Sequence, residues 1–164
     1  MADRALYPGR VLMVGIPGPE LDDSTRTFLK SSMISGVVLF RRNVSDARTL
    51  AALTEEIHAI HPDRPILVGI DHEGGRVSRL SAPFTEFPPA AVVGTAGSPH
   101  LAYRQGAAMG EELRAVGIDI DFAPVLDVNS NPANPVIGDR SYASHPRMVA
   151  RMGISLAHGL QRTG

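Results

Sequence analysis

The sequence predicts an α/β fold in which helices cover a parallel sheet. Four short apolar runs are continuous rather than alternating, which is typical of strands buried on both faces. A segment of helical character follows each run, so the chain repeats strand then helix four times. Two architectures fit this order: a doubly wound sheet, complete at about this length, and an eight-stranded barrel, which needs about 250 residues and of which 164 residues would be part.

The first two units are predicted from apolar runs and helix-start signals. The first strand covers 11–16 and ends at prolines, after which Asp22 offers N-cap chemistry for a helix to about Met33. The second strand covers 36–40. The helix after it places apolar residues three and four positions apart on one face: Leu50, Leu53 and Ile57.

The third strand is predicted over 65–70, and the Pro- and Gly-rich stretch 71–98 that follows shows no strong periodicity. A helix is predicted from His100 to Val116, with Gly117 as its C-cap glycine. The candidate inward-facing residues of this helix are Leu101, Ala108 and Leu113.

The fourth strand region covers 118–128, although Pro124 argues against a regular strand through that point. The last helix is predicted from Pro146 to about Gln161. Its large apolar residues recur every four positions: Met148, Met152, Leu156 and Leu160. Polar residues gather after the C-terminal ends of the strands, where barrel enzymes build their sites. Open α/β sheets do the same, so both architectures stay open on this pattern.

Composition predicts a soluble globular chain of one domain, with 43% hydrophobic residues and a net charge of −1. That balance predicts neither nucleic acid nor an anionic membrane as a partner, because both call for clustered positive charge. Cysteine is absent, which excludes disulfides and thiolate sites within the chain. The N-terminus MADRALYPGR carries charges where a signal peptide needs an apolar stretch, so we expect a cytoplasmic location.

The segment GIDHEGGRVSRL, residues 69–80, places two acids, a histidine and two arginines directly after the third strand. Asp71 is the first residue beyond that strand, and a carboxylate there can accept hydrogen bonds from the hydroxyls of a sugar. The alternative is an Asp–Arg pair that only fixes the loop. Spacing alone does not decide between sugar binding and loop fixing, because polar residues at strand ends often have a functional role but not always.

Other chemistries have little support in the same segment. Adjacent side chains at 71–73 diverge and no HExxH motif supports them, so no metal site is predicted. Gly74 and Gly75 belong to neither GxGxxG nor GxxxxGK[ST], which argues against a phosphate cradle. Ser78 lacks the context of a nucleophile elbow.

In a second polar segment, residues 117–142, three acids lie at odd positions of an apolar run: Asp119, Asp121 and Asp127. Buried carboxylates are costly unless paired or hydrogen-bonded. We therefore expect Asp119 and Asp121 to have structural roles, satisfied by an arginine or by loop backbone. Asp127 and Arg140 stand nearer the loop and are better site candidates.

Five ordered motifs resemble the N-terminal barrel of family 3 glycoside hydrolases, and most closely the bacterial β-N-acetylhexosaminidases. They are GVVLFRRNV, ILVGIDHEGGRVSRL, FPPAAVVG, GEELRAVGIDIDFAPVLDV and NPVIGDRSY. The resemblance runs from about Val11 to the end of the chain. It implies a (β/α)8 TIM barrel truncated to about the first four βα units, with residues 1–164 as the N-terminal half of the barrel domain.

The resemblance also implies an activity: hydrolysis of terminal, non-reducing N-acetylglucosamine from muropeptide-type sugars during cytoplasmic peptidoglycan recycling. The reaction would be a retaining double displacement with no metal or organic cofactor. By motif, Asp71 corresponds to the aspartate that holds sugar hydroxyls, and Arg79 and Arg140 correspond to substrate-binding arginines. His72 stands where the family often has glutamine, and neither it nor Glu73 is assigned a role.

The family's catalytic motifs are expected beyond Gly164. They are a KHFPGHG strand end, an aspartate–histidine acid/base pair and a nucleophilic aspartate. A retaining glycosidase needs a nucleophile and an acid/base on either side of the anomeric carbon. We therefore expect no catalytic residue in this chain, which alone is predicted to be inactive.

Two alternatives remain beside the hypothesis of a β-N-acetylhexosaminidase. One is a β-glucosidase-type hydrolase of the same family. The other is a non-catalytic half-barrel that binds sugar or self-associates through the open edges of its first and fourth strands. A nucleotide-binding sheet is disfavoured by the missing glycine motif.

Overall fold

The computed structural model describes residues 7–163. They divide into two compact units, residues 7–70 with 116–120 and residues 71–115 with 121–163. The strands are β1 Met13–Gly15, β2 Gly36–Leu39, β3 Leu67–Ile70 and β4 Ile120–Asp121. The α-helices are α1 Asp23–Ser31, α2 Ala47–Ala59, α3 Ala90–Ala96, α4 Pro99–Ala115 and α5 Pro146–Leu160. Short 3-10 helices are Pro8–Val11, Arg41–Asn43, Gly138–Arg140 and Gln161–Thr163.

The sheet of the first unit has the strand order β1-β2-β3-β4. β1 pairs with β2 and β2 pairs with β3, both in parallel, and Gly36 lies opposite Met13 on one side and Leu67 on the other. Next to the start of β4, the Asp119 N–H donates to the Val68 carbonyl at 2.9 Å. The strands therefore follow one another in space as they do in sequence, and the predicted parallel sheet is confirmed.

Helix α1 begins at the capping residue that the sequence predicts, Asp22, and α2 begins at a second aspartate cap, Asp46. The Asp22 carboxylate accepts a hydrogen bond from the Thr25 N–H at 2.6 Å, and Asp46 accepts one from the Thr49 N–H at 2.9 Å. Each cap satisfies one of the backbone donors that a helix leaves unpaired at its start. The predicted inner face of α2 is buried: Leu50, Leu53 and Ile57.

In the second unit, α4 and α5 pack closely through glycines. A Cβ on Gly106 would lie 2.2 Å from the Leu156 carbonyl oxygen, and one on Gly159 would lie 2.2 Å from the Tyr103 carbonyl oxygen. The predicted apolar face of α5 is confirmed, with Met152 and Leu156 buried and Met148 and Leu160 packed against the same core cluster.

The apolar face predicted for α4 is partly wrong. Leu113 is buried and Ala108 packs against the core cluster, but Leu101 is 45% exposed. Leu101 lies in the first turn of the helix, and the close approach to α5 is made instead through Gly106 and Gly110, whose missing side chains give no apolar signal.

Two of the predicted strand regions are much shorter in the structure, and one stretch without a predicted element contains a helix. The strand expected over 11–16 is shortened to β1 because Val11 belongs to a 3-10 helix. The strand region 118–128 contributes only β4, consistent with the missing N–H of Pro124. The stretch 71–98 contains α3, whose seven residues make only two turns, too few for a clear period.

The predicted C-cap at Gly117 is confirmed, since α4 ends at Ala115 and Gly117 has a φ of 73°. None of the helices in residues 7–163 is long and apolar enough to cross a membrane.

Candidate functional site

Asp71 and Arg79 form an ion pair. Arg79 Nη2 donates to Asp71 Oδ2 at 3.0 Å, and the two side chains are 23% and 31% exposed. Two of the three residues predicted to bind substrate are therefore in contact. This contact also matches the alternative reading, an Asp–Arg pair that fixes the loop. It occupies one oxygen, Oδ2, of a partly exposed carboxylate.

The loop that carries this pair is shaped by two glycines. Gly74 and Gly75 have φ values of 92° and 56°, a region that other residues adopt at a cost. A Cβ on Gly74 would lie 2.6 Å from the Pro88 carbonyl oxygen, and one on Gly75 would lie 2.6 Å from the Cβ of Pro89. The glycines therefore serve the turn and its packing.

Arg140, the third predicted residue, pairs with Glu73. Arg140 Nε donates to Glu73 Oε2 at 2.8 Å, and Nη2 donates to Oε1 at 2.6 Å. Hydrogen bonding to Glu73 raises the pKa of Arg140 above its ordinary value, with smaller contributions from the charges of Glu73, Asp127 and Asp71. Sequence reasoning assigned Glu73 no role, and no local pattern could connect residues 67 positions apart.

Arg76 binds the segment that carries Arg140. Arg76 Nε donates to Asp139 Oδ1 at 2.8 Å. The two hydrogens of its Nη2 are shared among three consecutive backbone carbonyls, at 3.3, 2.6 and 3.1 Å: Pro135, Val136 and Ile137. The two polar segments found in the sequence are thus joined twice, by Glu73 with Arg140 and by Arg76 with Asp139.

Asp121 is a half-buried acid without a cationic partner among the described residues. Its Oδ1 accepts a hydrogen bond from the His72 N–H at 2.9 Å, while Oδ2 is buried and unpartnered within the same residues. Burial raises the pKa of Asp121 to about 7; the His72 N–H opposes this, and the charges of Asp71 and Glu73 add to it. The expected satisfaction by loop backbone is therefore found for one oxygen only.

The His72 side chain is buried. Burial lowers the pKa of its imidazole, and the nearby Arg79 charge lowers it further, against an opposing effect of Glu112. Its Nδ1 accepts from the Arg79 N–H at 3.3 Å, and the ring meets Phe87 edge-on with centroids 6.1 Å apart. The side chain fixes the loop and is not open to a ligand.

The remaining acids of the second polar segment have separate surroundings. Asp119 Oδ2 accepts from the Val68 N–H at 2.7 Å and lies 2.9 Å from His58 Nε2, consistent with its expected structural role. Asp127 is exposed and acts on Arg140 through its charge. Within residues 7–163, no group of three or more His, Asp and Glu side chains is placed to hold a metal ion.

Comparison with known proteins identifies the fold. The model of the glycosyl hydrolase family 3 N terminal domain matches residues 9–164. A beta-hexosaminidase of Thiobacillus denitrificans is 42% identical over 159 residues, covering 93% of this chain and 44% of the relative. A beta-hexosaminidase of Methylococcus capsulatus is also 42% identical, with 93% and 46% covered. The chain spans about half the length of the curated relatives it matches.

Solved structures agree. A family 3 β-N-acetylglucosaminidase from Paenibacillus sp. has a TM-score of 0.90 at 40% identity, covering 93% of this chain and 30% of that one. NagZ from Neisseria gonorrhoeae, in complex with N-trifluoroacetyl-D-glucosamine, has a TM-score of 0.87 at 35% identity, with 93% and 47% covered. These similarities confirm the predicted fold class, a parallel-strand α/β chain that corresponds to the N-terminal part of the barrel.

Proposed function

Because the chain belongs to glycosyl hydrolase family 3, we propose that it is the N-terminal part of a β-N-acetylhexosaminidase that hydrolyses terminal, non-reducing N-acetylglucosamine. Relatives at 42% identity that are named beta-hexosaminidase support the activity. The Neisseria gonorrhoeae complex with N-trifluoroacetyl-D-glucosamine supports the sugar. The proposal extends to muropeptide-type substrates and to cytoplasmic peptidoglycan recycling, on the resemblance of the sequence motifs to the bacterial branch.

The observation that carries the proposal is the partly exposed ion pair of Asp71 and Arg79, with Arg140 in the same compact unit. A carboxylate that accepts hydroxyl protons and guanidinium groups that donate to oxygens together match the alternating donors and acceptors of a sugar. In this proposal Asp71 holds sugar hydroxyls, while Arg79 and Arg140 complete the pocket. Their contribution is to orient the sugar for attack.

The chemical step requires groups that we place outside residues 1–164. Retention by double displacement needs a nucleophile on one face of the anomeric carbon and an acid/base on the other. The nucleophile bonds to the anomeric carbon as the bond to the leaving oxygen breaks and that oxygen takes a proton from the acid/base. Water then gives a proton to the acid/base, attacks the anomeric carbon and displaces the nucleophile. In this proposal Asp71, Arg79 and Arg140 bind the sugar without forming a bond to it, and no metal or organic cofactor takes part.

A turnover assay tests whether the chemical step depends on groups outside residues 1–164. The 164-residue chain and the protein from the complete coding sequence are compared on chromogenic N-acetylglucosaminide and glucoside substrates. We expect the complete protein to cleave the N-acetylglucosaminide with a strong preference, and the 164-residue chain to cleave neither. Turnover by the short chain would overturn the assignment of the chemistry. A preference for the glucoside would establish the β-glucosidase alternative instead.

A non-catalytic, self-associating half-barrel is favoured by a different observation. β1 is the last strand at its end of the described sheet, and large apolar residues in and before it are exposed: Val11, Leu12 and Met13. Exposed apolar strand edges tend to pair with another chain. Size-exclusion chromatography tests this alternative, which predicts a dimer; a stable monomer contradicts it.

A further inference from the structure

We propose that Glu73 and Arg76 are positioning residues that together set the Arg140 guanidinium in the second unit. The inference deepens the proposed function, since it rests on Arg140 contacting the sugar. Neither residue was assigned a role from the sequence, and neither is placed to act on a sugar itself, because each is engaged by the segment that carries Arg140.

Glu73 acts only through Arg140. Both of its carboxylate oxygens accept from that guanidinium, and the side chain is only 8% exposed. A side chain so enclosed offers no surface to a ligand. The paired, side-on geometry fixes the plane of the guanidinium as well as its position, which a single hydrogen bond would not do.

The Glu73 contact leaves part of Arg140 for a ligand. A guanidinium has five N–H donors. Within the described residues, Nε and one Nη2 hydrogen are given to Glu73, and one Nη1 hydrogen is given to the Val136 carbonyl at 3.3 Å. One hydrogen on Nη1 and one on Nη2 remain. The pairing with Glu73 therefore sets the direction in which these two N–H groups point.

Arg76 binds the backbone segment that leads to Arg140. The three carbonyls that it binds immediately precede the 3-10 helix Gly138–Arg140, and its fourth acceptor, Asp139, lies inside that helix. Gly138 has a φ of 46°, a conformation that favours glycine, and a Cβ there would lie 3.9 Å from Arg76 Nη2. Three N–H groups of one guanidinium, shared among four acceptors, therefore hold this segment.

The two ion pairs join the same two segments with their charges reversed. Residues 73 and 76 supply one acid and one base, and residues 139 and 140 supply the complementary acid and base. A shift of either segment relative to the other would break both pairs. Because the Arg76 and Asp139 side chains are 46% and 47% exposed, their pair adds little to stability. Its effect is instead to fix the position of the two segments relative to each other.

The test combines two readouts in the isotope-labelled 164-residue chain. The first is the Arg140 Nε–H cross-peak in NMR spectra, assigned by its loss in R140K, which reports the side chain without any sugar. The second is the affinity for N-acetylglucosamine, measured by titration. The variants are E73Q, R76Q and R76K. The matched control is E111Q, which removes the exposed Glu111–Arg162 pair of the same unit.

We expect E73Q to shift or broaden the Arg140 cross-peak and to weaken N-acetylglucosamine binding by at least about tenfold, because small misplacements of binding groups are costly. R76Q and R76K should change both readouts in the same direction, since lysine keeps the charge but lacks the fork that binds consecutive carbonyls. E111Q should change neither.

The outcomes separate this inference from the proposed function. Unchanged cross-peak and affinity in E73Q and the Arg76 variants would overturn the positioning role. Absence of N-acetylglucosamine binding by the wild-type chain would count against the proposed sugar site, and the cross-peak would still decide whether Glu73 and Arg76 position Arg140. If E73Q does not fold, the exposed Arg76 supplies the deciding variants.

Discussion

Arg140 and Glu73, 67 positions apart, form a two-bond ion pair at 2.8 and 2.6 Å, whereas Arg79 and Asp71, eight positions apart, share one bond at 3.0 Å. The longer-range pair is the more enclosed one, because the Glu73 side chain is almost fully buried. The two pairs therefore differ in exposure: the acid of one is enclosed in the unit, and both partners of the other are partly exposed.

Replacing Glu73 by glutamine should destabilise the chain by about 2 kcal/mol, because the Arg140 charge would keep its place without a compensating carboxylate. Replacing Arg76 by glutamine should cost less than about 1 kcal/mol, as for an exposed ion pair. Unfolding in urea, followed by circular dichroism, measures both. Equal losses for the two variants would contradict the distinction.

Replacing Asp71 by asparagine separates sugar binding from loop fixing. Both partners are partly exposed, so the lost ion pair should change stability by less than about 1 kcal/mol. Affinity for N-acetylglucosamine should fall about tenfold or more in the complete protein, because asparagine offers a weaker acceptor to sugar hydroxyls. A variant that loses stability but keeps its affinity would show that the pair only fixes the loop. E111Q is again the matched control.

Asp121 should make the stability depend on pH. Its pKa is about 7 in the folded chain and near 3.8 when unfolded. Between these values the folded state binds a proton that the unfolded state does not, so this contribution to stability is lost as the pH rises from about 4 to about 7. D121N keeps an oxygen for the His72 N–H and removes the titration. The lowered pKa of His72 acts in the opposite direction and is common to both chains.

We therefore expect D121N to gain stability relative to the wild type as the pH rises through this window. The free energy of unfolding, measured for both chains from pH 4 to pH 8, checks it. Parallel curves would show that Asp121 titrates at an ordinary pKa.

Replacing Gly106 by alanine should destabilise the second unit by about 2 kcal/mol or more, even though alanine favours helix formation. The added Cβ would lie 2.2 Å from the Leu156 backbone oxygen, so α4 and α5 would have to separate. Gly18→Ala is the matched control, since nothing lies within 4 Å of its Cβ position. The thermal unfolding midpoint measures both. An unchanged midpoint in the Gly106 variant would mean that the helices do not pack at this distance.

Local patterns predicted most of the elements. The continuous apolar runs placed β2 and β3, and the three- and four-residue spacing placed α2 and α5 with the correct faces buried. Two elements were harder to predict from the sequence. α3 is too short to show a period, and β4 is only two residues of a longer apolar segment because strand pairing, not hydrophobicity, ends it.

The sequence by itself determined the order of strands and helices, since burial on one face leaves a period, and burial on both faces leaves a continuous apolar run, within a dozen residues. It also indicated which segments carry polar residues after strands. Only the tertiary structure decided which acid meets which base. The pairing of Glu73 with Arg140 and the protonation of Asp121 depend on distances and burial between residues far apart in the chain, and no local period records them.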